Sequence, residues 1–202
     1  SSNSNKIAWY ANDGSGSFGA QQIITTAANG AVSVSTADLD GDGDLDVLSV
    51  SEFDNKIAWY ANDGSGSFGD QQIVTTAAIG AYSVSTADLD GDGDLDVLSA
   101  SFLSTNNGKI AWYENNGSGS FGVQQTITTA AYGARSVSTA DLDGDGDLDV
   151  LSASRFDKKI AWYENAVPQI NFVANGGIGA MANQGIAEGV TAALRANTFT
   201  LS

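Results

Sequence analysis

Short segments of alternating polar and apolar residues follow one another along most of the chain, separated by clusters of Gly, Asn, Asp and Ser. β-Branched and aromatic residues dominate the segments, and the separating residues are typical of turns. No sustained helical periodicity interrupts this pattern. It predicts short β-strands, which in one representative stretch are residues 33–37, 46–51, 56–60 and 71–76.

An internal repeat organises these segments. The pentapeptide Lys-Ile-Ala-Trp-Tyr begins at Lys6, Lys56, Lys109 and Lys159, so the period is about 50 residues. Three extra residues in the third copy fall within residues 102–108, where we expect an exposed loop. Four short strands per period are typical of a propeller blade. The sequence therefore predicts an all-β fold of four-stranded antiparallel propeller-type blades, with about three and a half repeats.

Both alternating faces of the pentapeptide are apolar, which predicts a sheet covered on its two sides. We therefore interpret the Trp residues as core, with sugar stacking on their aromatic faces as the alternative. These residues are Trp9, Trp59, Trp112 and Trp162. Tyr82 and Tyr132 align with unlike residues in the other copies, and for them we predict surface positions.

One acidic string, DLDGDGDLD, is identical at residues 38–46, 88–96 and 141–149. Each copy has five Asp, so the three strings hold 15 of the 24 acidic residues. The chain has only 8 Lys and Arg, and its net charge is -16. The acidity is therefore concentrated in three loops.

Alternating Asp, with Gly at the fourth and sixth positions to permit turning, directs several carboxylates towards one centre. Such a cluster repels itself unless a hard cation fills it, and Ca²⁺ accepts six to eight oxygens in flexible geometry. The strings therefore predict three Ca²⁺ sites, with the seventh-position Asp binding through its carbonyl and the others through side chains. The predicted ligands are Asp38, Asp40, Asp42, Asp44, Asp46, Asp88, Asp90, Asp92, Asp94, Asp96, Asp141, Asp143, Asp145, Asp147 and Asp149.

The acidic string has two alternative interpretations. An EF-hand requires a bidentate acid at its twelfth position, where this chain has Ser49, Ser99 and Ser152. That motif is therefore excluded. A solvated acidic turn without an ion is the other alternative, and three identical copies with five Asp each argue against it.

Composition excludes several classes of function. The chain has no Cys and no His, so it has no disulfide framework, thiol nucleophile or imidazole proton shuttle, and any metal must be bound by oxygen. Its negative charge argues against nucleic acid as a partner. No apolar run reaches the ~20 residues of a membrane span, so we expect no membrane insertion. The acids outside the loops are scattered, and we expect no catalytic site.

The string DLDGDGDLDVLS, followed by KIAWYEN and GSGSFG, resembles the FG-GAP and VCBS repeat family, which includes the calcium-binding blades of integrin alpha-subunit propellers. The resemblance covers residues 6–165. It implies that each ion lies between the first two strands of a four-stranded blade, usually in a ring of seven blades, in an extracellular or surface protein. This chain has too few repeats to close such a ring. We therefore expect either a piece of a larger propeller or copies that complete each other.

Two regions follow from the repeat boundaries. Residues 1–174 form the propeller repeats, and residues 169–174 are predicted as the fourth strand of the last blade. Residues 175–202 are rich in Gly and Ala. They are interpreted as a linker, the start of a further domain or an assembly arm. The chain begins without Met or a signal-peptide pattern, as expected of a processed or excised piece.

We expect a non-catalytic, calcium-stabilised extracellular module with a structural or adhesive role. Open blade edges are prone to association, so the expected partners are other copies of the chain or other surface proteins, in a surface appendage or filament. The alternative is a calcium-dependent, lectin-like module that binds carbohydrate, with glycans as partners.

Overall fold

The computed structural model describes residues 5–103 and 107–165, and within them all regular structure is β-strand. The predicted all-β fold is therefore confirmed. No helix in the described ranges is long and apolar enough to cross a membrane. The strands are β1 (Ile7–Trp9), β2 (Gln22–Thr25), β3 (Ala31–Ala37), β4 (Asp46–Ser51), β5 (Lys56–Tyr60), β6 (Gln72–Thr75), β7 (Ala81–Ala87), β8 (Asp96–Leu103), β9 (Asn107–Tyr113), β10 (Gln125–Thr128), β11 (Ala134–Ala140), β12 (Asp149–Ser154) and β13 (Lys159–Tyr163).

The strands form four antiparallel sheets, which we number as blades in chain order. Blade 1 is the pair β1-β2, blade 2 is β3-β4-β5-β6, blade 3 is β7-β8-β9-β10 and blade 4, within the described residues, is β11-β12-β13. Consecutive strands pair in each sheet, as in a propeller blade. The predicted fourth strand of blade 4, at residues 169–174, and the tail at 175–202 lie outside the described residues.

The hydrophobic core lies between adjacent blades. Three clusters of buried residues correspond to the three successive interfaces, between blades 1 and 2, 2 and 3, and 3 and 4. In the second of these, Ile57 and Trp59 of blade 2 share a cluster with Val84 and Tyr113 of blade 3. The blades therefore stabilise one another, because a single sheet of this kind has too little core of its own.

The burial of the repeated pentapeptide depends on which neighbours a blade has. In β5 the residues from Ile57 to Tyr60 are all buried, which confirms the prediction that both faces are covered. In β13 the same sequence is exposed on one face. Accordingly, Trp59 is a core residue, Trp9 and Trp112 are half-buried, and the side chain of Trp162 is 48% exposed.

A glycine of one blade packs against the tryptophan of the preceding blade. Gly66 and Gly119 lie in the turns that follow the third strands, and both have positive φ. A β-carbon built on Gly66 would come within 2.6 Å of the Trp9 ring, and one on Gly119 would come closer still to the Trp59 ring. Glycine is required here by its backbone conformation and by the contact with the indole.

The prediction of an exposed loop over residues 102–108 is wrong at both of its ends. Phe102 pairs with Gly108 in the β8–β9 hairpin, so the insertion lengthens two strands. The Phe102 ring lies 5.4 Å, between centroids, from that of Phe156 in blade 4. Residues 104–106 are outside the described ranges.

The predicted surface positions of Tyr82 and Tyr132 also need correction, because both side chains are half-buried. The guanidinium of Arg135 lies 3.9 Å from the centroid of the Tyr82 ring, across the interface between blades 3 and 4. Tyr132 packs against Phe156, with 5.2 Å between ring centroids. Variation between copies here reflects contacts particular to one interface.

Gly119→Ala should destabilise the protein by about 1–3 kcal/mol more than Gly14→Ala, because the new methyl group would overlap the Trp59 ring. Gly14 is a matched control, since it also has positive φ but no atom lies within 4 Å of an added β-carbon. Urea unfolding of both variants measures the difference. Equal destabilisation would show that the indole contact carries no packing constraint.

Candidate metal centre

The three acidic strings occupy equivalent positions in blades 2, 3 and 4. Each connects the first strand of a blade to the second, between β3 and β4, β7 and β8, or β11 and β12. The antiparallel pairing of these strands brings the two ends of each loop together. The loops therefore lie where the family resemblance implies an ion, between the first two strands.

The first Asp of each string shapes its loop. Asp38 Oδ1 accepts a hydrogen bond from Gly41 N at 2.8 Å, and Asp38 Oδ2 accepts one from Gly43 N at 2.9 Å. Both glycines have positive φ, which lets the chain coil around the carboxylate. Asp88 and Asp141 make the same pair of contacts in the other loops.

The last Asp of each string is buried beneath its loop. Asp46 Oδ2 accepts a hydrogen bond from Leu39 N, and Asp46 Oδ1 accepts one from Asn62 N, both at 2.9 Å. Asp96 and Asp149 make the equivalent contacts. This carboxylate therefore joins the beginning of the loop to the end of the third strand.

Burial raises the pKa of the Asp46 and Asp96 carboxyls. The pKa of Asp96 rises from 3.8 to about 6, because desolvation outweighs the two hydrogen bonds from Asn115 N and Leu89 N. Desolvation also raises the pKa of Asp46. These two loops thus hold carboxylates in surroundings that disfavour their charge.

Carboxylates converge in all three loops. In each, three Asp offer oxygens that all lie within 4.8 Å of one another. The three groups are Asp38, Asp40 and Asp42; Asp88, Asp90 and Asp96; and Asp141, Asp143 and Asp145. The structure thus brings together the Asp residues at positions 1 and 3 of every string, with the Asp at position 5 or position 9. The full set of fifteen ligands, including the carbonyl role of Asp44, Asp94 and Asp147, stays a prediction.

The donor set suits a hard cation. All its donors are oxygen, which Ca²⁺ prefers, and Asp40 Oδ1 is buried without accepting a hydrogen bond from any residue the structure describes. The pKa of Asp90 is raised by burial and then by the carboxylates of Asp92, Glu114 and Asp88. A bound Ca²⁺ would supply the positive charge that offsets this repulsion.

Two kinds of residue near the loops were missed in the sequence. Glu114 was regarded as one of several scattered acids, yet its charge acts on Asp90 across the same blade. Asn115 joins two blades, because its Nδ2 donates to Leu95 O at 3.1 Å and to Leu39 O of the preceding blade at 2.9 Å. The available signal was an Asn two residues after the pentapeptide in every copy.

A protein-family model described as FG-GAP-like repeat matches residues 1–49, 39–99 and 101–152. The chain belongs to the FG-GAP-like repeat family. The matched segments contain the three acidic loops and the first strand of each blade that carries one. A comparison with curated proteins finds no match to this FG-GAP-like chain.

Two solved structures are similar to the FG-GAP-like chain. The first is a lectin from Agrocybe aegerita described as recognising non-reducing terminal N-acetylglucosamine, with 23% identity and a TM-score of 0.52 over 74% of this chain and 41% of the lectin. The second is the V. cholerae biofilm matrix protein Bap1, with 22% identity and a TM-score of 0.35 over 72% of this chain and 28% of Bap1. The chain thus spans less than half the length of either. The lectin supports the fold alone, and the Bap1 similarity is too low to carry an argument.

The calcium-free protein should become more stable as the pH falls from about 7 to about 4. Because the folded-state pKa of Asp96 is about 6, against an ordinary value of 3.8, the folded protein binds protons more tightly than the unfolded chain in this range. The pKa of Asp13 is lowered by hydrogen bonds from Ser15, and the pKa of Asp63 is lowered by hydrogen bonds from Ser65. Because both values lie below the ordinary one, these two groups affect stability mainly below this pH range.

Urea unfolding with a chelator present, repeated at successive pH values, measures this dependence. Asp96→Asn should flatten it. With saturating calcium the trend should reverse, since the metal requires ionised carboxylates. A decrease in stability as the pH is lowered over this range in the chelated protein would contradict the prediction.

Proposed function

We propose that this FG-GAP-like chain is a non-catalytic, calcium-stabilised extracellular module with a structural or adhesive role. The observation that carries the proposal is the convergence of three carboxylates in each of three equivalent loops. Three similar sites in a repeated scaffold suit ions that order the fold. A catalytic metal site would be single and distinct from the others.

Calcium would act as part of the folded structure. Each loop gathers five Asp, and their mutual repulsion is relieved when a divalent cation binds. Sites in extracellular modules bind Ca²⁺ with dissociation constants of about 10⁻⁴ to 10⁻³ M. That range suits the calcium concentration outside cells, which supports an extracellular or cell-surface location.

The non-catalytic role is supported by how the Asp carboxylates are used. Asp38 and Asp46 accept hydrogen bonds from backbone N–H groups of the loop and of the strand end. They hold the chain in shape and do not flank a cleft as paired catalytic acids would.

Apolar faces exposed at both ends of the described array support the structural or adhesive role. Ile160 and Trp162 are exposed on blade 4, and Tyr10 is exposed on blade 1. Exposed faces of this kind in a repeat array mark sites of association. The expected partners are other copies of the chain or other surface proteins, within a surface appendage or filament.

Calcium should raise the melting temperature of the protein. At ten times Kd, each site contributes about 1.4 kcal/mol, which corresponds to about 3–6 °C for a chain of this size. Asp90→Asn should lose the contribution of one loop. Asp70→Asn, which neutralises an exposed Asp outside the loops, is the matched control. Calorimetry and calcium titration measure both quantities, and an unchanged melting temperature in calcium would contradict the proposal.

Carbohydrate binding is the second candidate function, favoured by a cleft between blades 3 and 4. The cleft has a volume of about 90 Å³, and its lining includes Trp112, Tyr163, Glu164 and Asn165. The Trp112 indole beside the Glu164 carboxylate suits the edge of a sugar residue, because the ring covers an apolar face of the sugar and the carboxylate accepts from a hydroxyl. The lectin from A. aegerita suggests N-acetylglucosamine as the first probe.

If this cleft binds sugar, N-acetylglucosamine-terminated glycans should change the Trp fluorescence in a saturable manner. Trp112→Ala should abolish the change. Trp162→Ala is the control, because Trp162 is half-exposed but does not line the cleft. A flat response to a broad glycan array would exclude the lectin-like function.

A further inference from the structure

Three side-chain contacts recur at the blade interfaces. The first joins the Ile of one pentapeptide to the Tyr of the next. Ile7 shares a buried cluster with Tyr60, Ile57 with Tyr113, and Ile110 with Tyr163, where Tyr163 is the partly buried member. The same pair of residue types therefore belongs to the buried cluster at all three interfaces.

The second contact is a hydrogen bond from the Asn after the pentapeptide to the preceding blade. Asn115 Nδ2 donates to Leu39 O at 2.9 Å, and Asn165 Nδ2 donates to Leu89 O at 2.7 Å. The accepting carbonyl belongs in each case to the second residue of an acidic string. The contact therefore ties the candidate metal loops of blades 2 and 3 to the blade that follows each of them.

The third contact is the glycine that packs against a tryptophan. Gly66 of blade 2 covers the indole of Trp9, and Gly119 of blade 3 covers that of Trp59. The interface between blades 2 and 3 shows all three contacts, so a set of groups on the earlier blade meets a matching set on the later blade. The Asn contact recurs between blades 3 and 4, and the Gly contact recurs between blades 1 and 2. The earlier set is Ile, Trp and the Leu carbonyl, and the later set is Tyr, Asn and Gly.

At each end of the described array, one of these two sets of groups has no matching set among the described residues. On blade 4, which we call the trailing surface, Ile160 is 77% exposed, whereas Ile57 and Ile110 are fully buried. Trp162 and Leu142 complete this surface, and each is 48% exposed.

On blade 1, the leading surface consists of Tyr10, Asn12 and Gly16. Tyr10 is 49% exposed, whereas Tyr60 and Tyr113 are 1% exposed. Asn12 Oδ1 accepts a hydrogen bond from Gly14 N, and no atom lies within 4 Å of a β-carbon built on Gly16. The leading surface thus carries the Tyr, Asn and Gly that match the Ile, Trp and Leu carbonyl of the trailing surface.

We propose that the leading surface of one copy of this chain docks on the trailing surface of a second copy, head to tail. Tyr10 packs on Ile160, Asn12 Nδ2 donates to Leu142 O, and Gly16 covers Trp162. The inference rests on the proposed role as a structural module, and it identifies the second copy and the residues that join it. The junction continues an interface that the chain already forms within itself.

The proposed contact is heterologous, because the two surfaces that meet are different. A second copy can close the array into a ring, or further copies can extend it into a series, and both contain the same junction. Blade 1 contributes its two described strands, so the junction reproduces the outer part of the blade interface. Association should therefore depend on protein concentration.

Analytical ultracentrifugation of the full 202-residue chain in calcium, over about a hundredfold range of concentration, tests the proposal. Association is expected, and Ile160→Asp should weaken it by about tenfold or more, because a carboxylate replaces a buried apolar anchor. Val123→Asp is the matched control, since it makes a similar change at a side chain that is 87% exposed elsewhere. It should associate as the unmodified chain does.

Mixing two variants tests the direction of the contact. Tyr10→Asp alters only the leading surface and Ile160→Asp only the trailing surface, so each alone should be defective. Their mixture should form a 1:1 complex, because one intact surface of each kind remains. A symmetric interface gives no such recovery and would overturn the proposal.

The melting temperature measured in the same samples separates this inference from the proposed function. If calcium stabilises a chain that stays monomeric at every concentration, the junction is wrong and the calcium-stabilised module stands. If calcium has no effect on stability but the mixture still forms a 1:1 complex, the junction stands and the calcium-stabilised module is wrong. Association that survives both substitutions would place the contact elsewhere and overturn the junction.

Discussion

Two backbone N–H groups meet at each buried carboxylate of Asp46, Asp96 and Asp149, and this contact holds together loop, sheet and array. One N–H group comes from the start of the acidic loop and the other from the Asn after the third strand. The amide of that same Asn reaches the preceding blade at Asn115 and Asn165. A charge-assisted hydrogen bond is strong, and an unsatisfied buried donor is costly, so each part of this link constrains the others.

Stability of the array is shared between neighbours. A blade buries its pentapeptide fully only when blades on both sides cover it, as the contrast between β5 and β13 shows. Repeat proteins of this kind are stabilised by each unit and by the interfaces between units, and the end units differ from the central ones. The ends of the described array therefore combine two properties: they are the least buried part of the core and the part best suited to a partner.

The acidic loops place carboxylates that repel one another next to the hydrogen bonds of the buried Asp. Asp90 and Asp96 belong to one converging group, and both have a raised pKa because burial disfavours their charge. A hard cation would offset that repulsion at the point where loop and blade are joined, so its effect would extend to the interface with the next blade. Calcium and the packing of blades are thus coupled through the same few residues in the proposed function.

Short-range patterns in the sequence were enough to predict the repeat, the all-β class, the positions of most strands and the acidic loops between first and second strands. Strand β4 agrees with its predicted bounds, and β5 does as well. The packing of the blades, in contrast, sets which chemically identical residues are core and which are surface. Trp59 and Trp162 have the same local sequence, but among the described residues a following blade covers only Trp59.

The same reason explains the errors at residues 102–108 and at Tyr82 and Tyr132, where contacts between blades 3 and 4 override the local pattern. In the candidate metal centre, the spacing of Asp was sufficient to predict a cluster in each loop. The bond from Asn115 to Leu39 and the charge of Glu114 near Asp90 required the fold, because they join residues that are distant in the chain and meet only when the blades pack.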